Sequence, residues 1–148
     1  MSIVYSSPVP YEGIDLSWMI GRRIIGVSFY EPEAWDFIFD PKCGIGVECL
    51  WRIVEDGKVV LTSEDRGHQF GLPAPVDASA KATTLLSEQS ITAVQLREAT
   101  TDIVIELTGG LRLEIIPTSS GYESWQLRDP FGFSYVAQGG GQICRWKP

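Results

Sequence analysis

The strongest constraint on this chain is a match of the sequence to itself. Ser7-Pro8-Val9 aligns with Ala74-Pro75-Val76, 67 residues on. The same shift sets Trp18-Met19 on Leu85-Leu86, Ile24 on Ile91 and Val27 on Val94. One residue is then lost in a hairpin turn. A shift of 66 puts Phe37-Ile38-Phe39 on Ile103-Val104-Ile105, Gly44 on Gly110 and Val47 on Leu113. Identities are few, and the phase carries the weight. Strand side chains alternate faces with period two. Phe37 and Phe39 alternate with Asp36 and Asp40, and Ile103, Ile105 and Leu107 alternate with Asp102, Val104 and Glu106. Ile45, Val47, Cys49 and Trp51 form one face of a third strand, matched by Leu111, Leu113 and Ile115. Alternation and turn glycines kept together at a fixed spacing mark a repeated structural unit.

The unit predicts an α+β fold: a mainly antiparallel β-sheet with two short helices, built by internal duplication of a helix-plus-three-strand unit. One domain spans 1–148, with pseudo-repeats at about 7–63 and 74–138. The helices fall at about 14–20 and 79–88, with Asp77 as N-cap of the second. The strands fall at about 23–30, 35–40 and 45–54, and again at 91–97, 101–107 and 111–117. Further strands follow at 58–62, 122–127, 133–137 and 143–146, separated by turn residues. The join at 64–77 is rich in Gly, Pro and charge and reads as an ordered loop. Ile38, Leu50, Val104 and Ile116 fall opposite the main core stripe. The two helices are expected to cover them; uncovered, they would form an association surface.

With 148 residues the chain is one ordinary domain, able to bury roughly 70% of its unfolded surface. An apolar fraction of 44% against 21% charged residues sets it among globular chains and apart from disordered ones. The N-terminus lacks the basic and apolar regions of a signal peptide, and no apolar run approaches the roughly 18 residues of a membrane helix. The expected compartment is the cytoplasm. Cys43, Cys49 and Cys144 are an odd count and read as reduced, structural thiols. The formal charge is −7, and its 12 basic residues are scattered. That argues against a nucleic-acid partner, which needs clustered Lys and Arg. It is compatible with a basic protein partner, while the plain reading is that it keeps a cytosolic protein soluble.

No segment carries a complete catalytic or metal-binding signature, and no cofactor or metal is expected. His68, the one histidine, follows Glu64 and Asp65. Such a trio can bind a metal or move protons, but the plain reading is a solvated histidine in a polar loop. Ser119-Ser120-Gly121-Tyr122-Glu123-Ser124-Trp125 lacks the elbow that exposes a nucleophilic serine. It reads as a turn with an aromatic packed on the sheet, or as a recognition patch anchored by Tyr122 and Trp125. Gly139-Gly140-Gly141 reads as a hairpin turn, and Cys43-x5-Cys49 lacks zinc spacing.

At Thr62-Ser-Glu-Asp65, Gly71-Leu-Pro-Ala-Pro-Val-Asp77 and Ser119-Ser-Gly-Tyr-Glu-Ser-Trp125, the chain resembles a family of small uncharacterised bacterial proteins. Such families often occur beside secreted toxins, so the resemblance implies an immunity protein. It brings no catalytic residues with it. The leading expectation is a non-enzymatic protein-binding domain that neutralises a basic toxin by surface contact. Glu64, Asp65, His68, Tyr122, Glu123 and Trp125 are its candidate binding residues. A small hydrolase-like or metal-dependent enzyme at the inter-repeat seam, using Asp65 and His68, is the second reading. A self-associating module or homodimer on the Ile38, Leu50, Val104 and Ile116 face is the third.

Overall fold

The computed structural model describes residues 5–147. The reading of a leader-free N-terminus falls partly on residues 1–4, which lie outside the described residues. The first half contains β1 (Tyr5–Pro8), β2 (Gly26–Tyr30), β3 (Ala34–Ile38), β4 (Gly44–Val47), β5 (Leu50–Glu55) and β6 (Lys58–Thr62). Helix α1 (Ala78–Leu86) opens the second half. It is followed by β7 (Ile91–Leu96), β8 (Ile103–Leu107), β9 (Leu111–Ile116), β10 (Trp125–Arg128), β11 (Ser134–Ala137) and β12 (Ile143–Lys147).

These strands form two antiparallel sheets, not one. The seven-stranded sheet runs β1-β12-β11-β10-β4-β3-β2, and the five-stranded sheet runs β6-β5-β9-β8-β7. Each half contributes a three-strand meander to one sheet and then crosses to the other. β4 lies beside β3, but β5 pairs with β9 in the opposite sheet. β9 lies beside β8, but β10 returns to pair with β4. The expected single strand at 45–54 therefore breaks at Glu48-Cys49. Ile45 and Val47 reach the core from one sheet, and Trp51 and Ile53 reach the same core from the other. A chain stepping between facing sheets keeps its apolar side turned inward, so its alternation survives the step.

The register also departs from expectation. Val27 lies opposite Phe37, and Phe37 opposite Ile45. Val94 lies opposite Ile105, and Ile105 opposite Leu113. The two meanders thus correspond at 67 residues in the first strand (27 to 94) and at 68 in the next two (37 to 105, 45 to 113). The hairpin gains a residue where one was expected to be lost. The longer Arg97–Asp102 connection supplies it, with Ala99 and Thr101 at positive φ.

Trp51 joins the sheets. It is fully buried and meets Trp35 and Phe37 edge to face, at centroid separations of 5.0 and 5.3 Å. Around it lie Ile45, Val47, Ile53, Leu113 and Ile115.

Among the described residues one α-helix is present, not two. Asp77 caps α1 by accepting the Ala80 amide at 3.1 Å, as expected. The segment at 14–20 holds only a 3-10 turn, Ser17–Met19. It sits between Gly13 and Gly21, too short to nucleate an α-helix, and Asp15 takes the Ser17 amide into a local turn. α1 lies against β2 and β6, the edges of the two sheets, and so closes a side of the molecule. Thr83 Oγ1 accepts the Val27 amide at 3.0 Å.

The face expected to unite Ile38, Leu50, Val104 and Ile116 is divided. Ile38 belongs to the seven-stranded sheet and the other three to the five-stranded one. On that outer face Glu114 is buried between Arg52 and Arg112. Among the described residues no helix is long and apolar enough to cross a membrane.

Candidate acidic groove at the sheet crossings

The two crossings meet. The Glu48 amide donates to the Ser124 carbonyl at 2.8 Å, tying the β4–β5 step to the β9–β10 step. Beside this tie lies the Ser63–Asp65 3-10 turn that ends β6. The Trp51 amide donates to Ser63 Oγ at 3.2 Å and anchors the turn to the first core residue of β5.

Two adjoining hollows open here, of about 620 and 560 Å³, sharing Pro32, Glu33, Glu48, Cys49 and Thr118. Glu64, Arg66 and His68 line the first, and Tyr122 and Glu123 the second. Four glutamates (Glu33, Glu48, Glu64 and Glu123) therefore face one arginine along the groove. That arginine is already engaged. Arg66 pairs with Glu31 at 3.2 Å and lies over the Phe29 ring at 3.7 Å. Tyr122 stands free, 82% exposed.

Cys49 lines both hollows with a thiol that is a poor nucleophile. Burial pushes it up to about 12, and the Asp102 carboxylate adds to the rise. Against an ordinary value of 9.0, its thiolate is about a thousandfold scarcer. Iodoacetamide at pH 8 should therefore spare Cys49 in the native protein and label it on unfolding, as peptide mass mapping would show. Because the fold favours the neutral thiol, this contribution to stability is intact below pH 9 and lost as the pH climbs toward 12. A Cys49→Ala variant should lose less stability over that interval.

The structure brings Glu64, His68, Tyr122 and Glu123 to the groove. Asp65 and Trp125 are otherwise occupied. Asp65 closes a capping box: its Oδ2 accepts the Thr62 amide at 3.0 Å while Thr62 Oγ1 accepts the Glu64 amide at 3.1 Å. Trp125 is 3% exposed, and its indole N–H donates to the Thr101 carbonyl at 2.9 Å. His68 is exposed and stacks on Phe70 at 5.4 Å. The expected turn at 119–121 is present, with Ser119 Oγ accepting the Gly121 and Tyr122 amides. Glu33, Glu48 and Arg66 join the groove without a sequence signal, since each enters from a different segment. Among the described residues no three His, Cys, Asp or Glu side chains gather to hold a metal. No protein-family model, no curated protein and no solved structure matches this chain.

Proposed function

We propose that this chain is a non-enzymatic protein-binding domain that seats a basic segment of a partner protein in the acidic groove. The observation that carries the reading is the pooling of four glutamates beside an exposed tyrosine, with the one arginine already paired. Carboxylates steer a basic partner and an aromatic anchors it. The resemblance to immunity-type families supports a toxin with a basic surface as that partner. The enzyme reading has less support, because the groove's thiol is held protonated and Asp65 is engaged in its turn.

We infer further that the two halves descend from one duplicated unit. Their hand-over order, matching register and the placement of Trp51 and Trp125 as first core residue after each crossing support this.

The test uses a fluorescently labelled arginine-lysine dodecapeptide, its binding followed by the anisotropy of the label. Glu48→Lys with Glu123→Lys should weaken binding about tenfold and flatten its dependence on salt. Unchanged affinity and salt slope would remove the groove as the binding site.

A further inference from the structure

The edge of β7 offers a second surface that shares no lining residue with the acidic groove. The Arg97 amide donates to the Asp102 carbonyl at 2.9 Å. In an antiparallel ladder hydrogen-bonded and non-hydrogen-bonded pairs alternate. Gln95 and Ala93 therefore turn their backbone groups toward β8, as Arg97 does. Val94 and Leu96, opposite Ile105 and Ile103, turn theirs outward.

On that outer side only Ile91, beyond a bulge, has backbone partners among the described residues. It donates to the Arg22 carbonyl and accepts the Gly21 amide, both at 2.8 Å. Going back from Gly21 to Tyr11, the chain runs alongside β7 without pairing to it, and a hollow of about 470 Å³ opens between them. Leu16, Ile20, Val94 and Leu96 line this hollow, together with the exposed Glu12 and Glu98.

The other half of the molecule has the matching position closed. Val27, which corresponds to Val94 in register, gives its outward amide to Thr83 of α1. The segment at 14–20, which precedes β2 as α1 precedes β7, forms no α-helix; its 3-10 turn packs beside β7 but, among the described residues, gives no hydrogen bond to Val94 or Leu96. Exposed edges are ordinarily blunted by charge or proline. β6, the other edge of this sheet, begins at Lys58, whereas β7 reads Ile-Thr-Ala-Val-Gln-Leu with neither.

We propose that the β7 edge takes up one extended segment of a partner protein as an added strand. That segment is apolar at alternate positions and carries lysine or arginine at its ends to meet Glu12 and Glu98. Strand addition supplies partners for the Val94 and Leu96 backbone groups while alternate side chains fill the hollow. A second copy of this chain fits less well. Its own β7 carries the wall at 11–20 alongside, and each copy bears a charge of −7.

The probe is the acetylated peptide Lys-Val-Thr-Val-Thr-Val-Lys, read by amide hydrogen exchange and fluorescence anisotropy. In the free protein the Val94 and Leu96 amides should exchange faster than those of Ala93 and Gln95. With the peptide they should slow at least tenfold, and Gln95 should not change. Methylating the peptide's alternate amides in one phase should abolish binding; methylating the other phase should preserve it. Glu48→Lys with Glu123→Lys should leave this binding intact, which separates it from the groove. No slowing at Val94 and Leu96, equal binding of both methylated peptides, or protection that grows with protein concentration alone would each overturn the proposal.

Discussion

Replacing Trp51 by alanine is expected to lower the unfolding free energy by about 3–5 kcal/mol. Domains of this size have only about 5–15 kcal/mol in hand. The size of the effect follows from where the chain crosses between sheets. Trp51 is the first core residue after the step from β4 to β5, and it lies opposite Ile115 within its own sheet. Its ring also meets Trp35 and Phe37 of the other sheet edge to face. Truncation removes the contact that couples the sheets and leaves a void that rigid neighbours cannot fill. Trp51→Phe should cost much less. It keeps a ring between the sheets and removes an indole N–H that finds no hydrogen-bond partner in the core. Urea denaturation of both variants decides the matter. Equal midpoints for the alanine and parent proteins would mean that the sheets are held together elsewhere.

The same crossing shows how far the sequence could be read. Antiparallel strands, their turns and the Asp77 cap are legible because each depends on neighbours in the chain. The step at Glu48-Cys49 is not, because Ile45, Val47, Trp51 and Ile53 all point into one core and keep an unbroken alternation. The register of the second meander differs by two residues from the one the sequence alignment predicts, for a related reason. A slip of two leaves every side chain on its face, so alternation cannot detect it. The absent helix at 14–20 turned on length, which periodicity overrates in a segment so short. Asp65 carried a usable clue: Thr62 and Asp65 have the spacing of a capping box, which assigns the carboxylate to its own turn. Trp125 had none, since its partner, the Thr101 carbonyl, lies in another hairpin. The groove draws on the β2–β3 turn, both crossings and the β6 exit, segments that only the folded chain brings together.

Gly139→Ala is expected to weaken binding of the arginine-lysine peptide at least tenfold at a cost of only about 1–3 kcal/mol in stability. Gly139 is not in the left-handed region, so backbone strain plays no part. The effect is steric. A Cβ at this position would run into the backbone of Ser120 and Gly121. That backbone belongs to the turn in which Ser119 Oγ holds the Gly121 and Tyr122 amides, and the turn carries Tyr122 and Glu123 into the groove. Two elements must part for the methyl to fit. The β11–β12 hairpin is fixed by its ladder, whereas the 117–124 loop is held at its end by Ser124, whose amide donates to Ala137 at 3.0 Å. The loop should therefore be what gives way, and the groove should lose its second hollow. Gly121→Ala is the control, because a Cβ there meets nothing within 4 Å. It alters the same turn without displacing it, so it should bind the peptide as the parent does. Exchange at Val94 and Leu96 should be unchanged in both variants. Parent-like peptide binding by Gly139→Ala would show that the loop's position does not govern the groove, and would leave the carboxylates of Glu33, Glu48 and Glu64 to account for recognition alone.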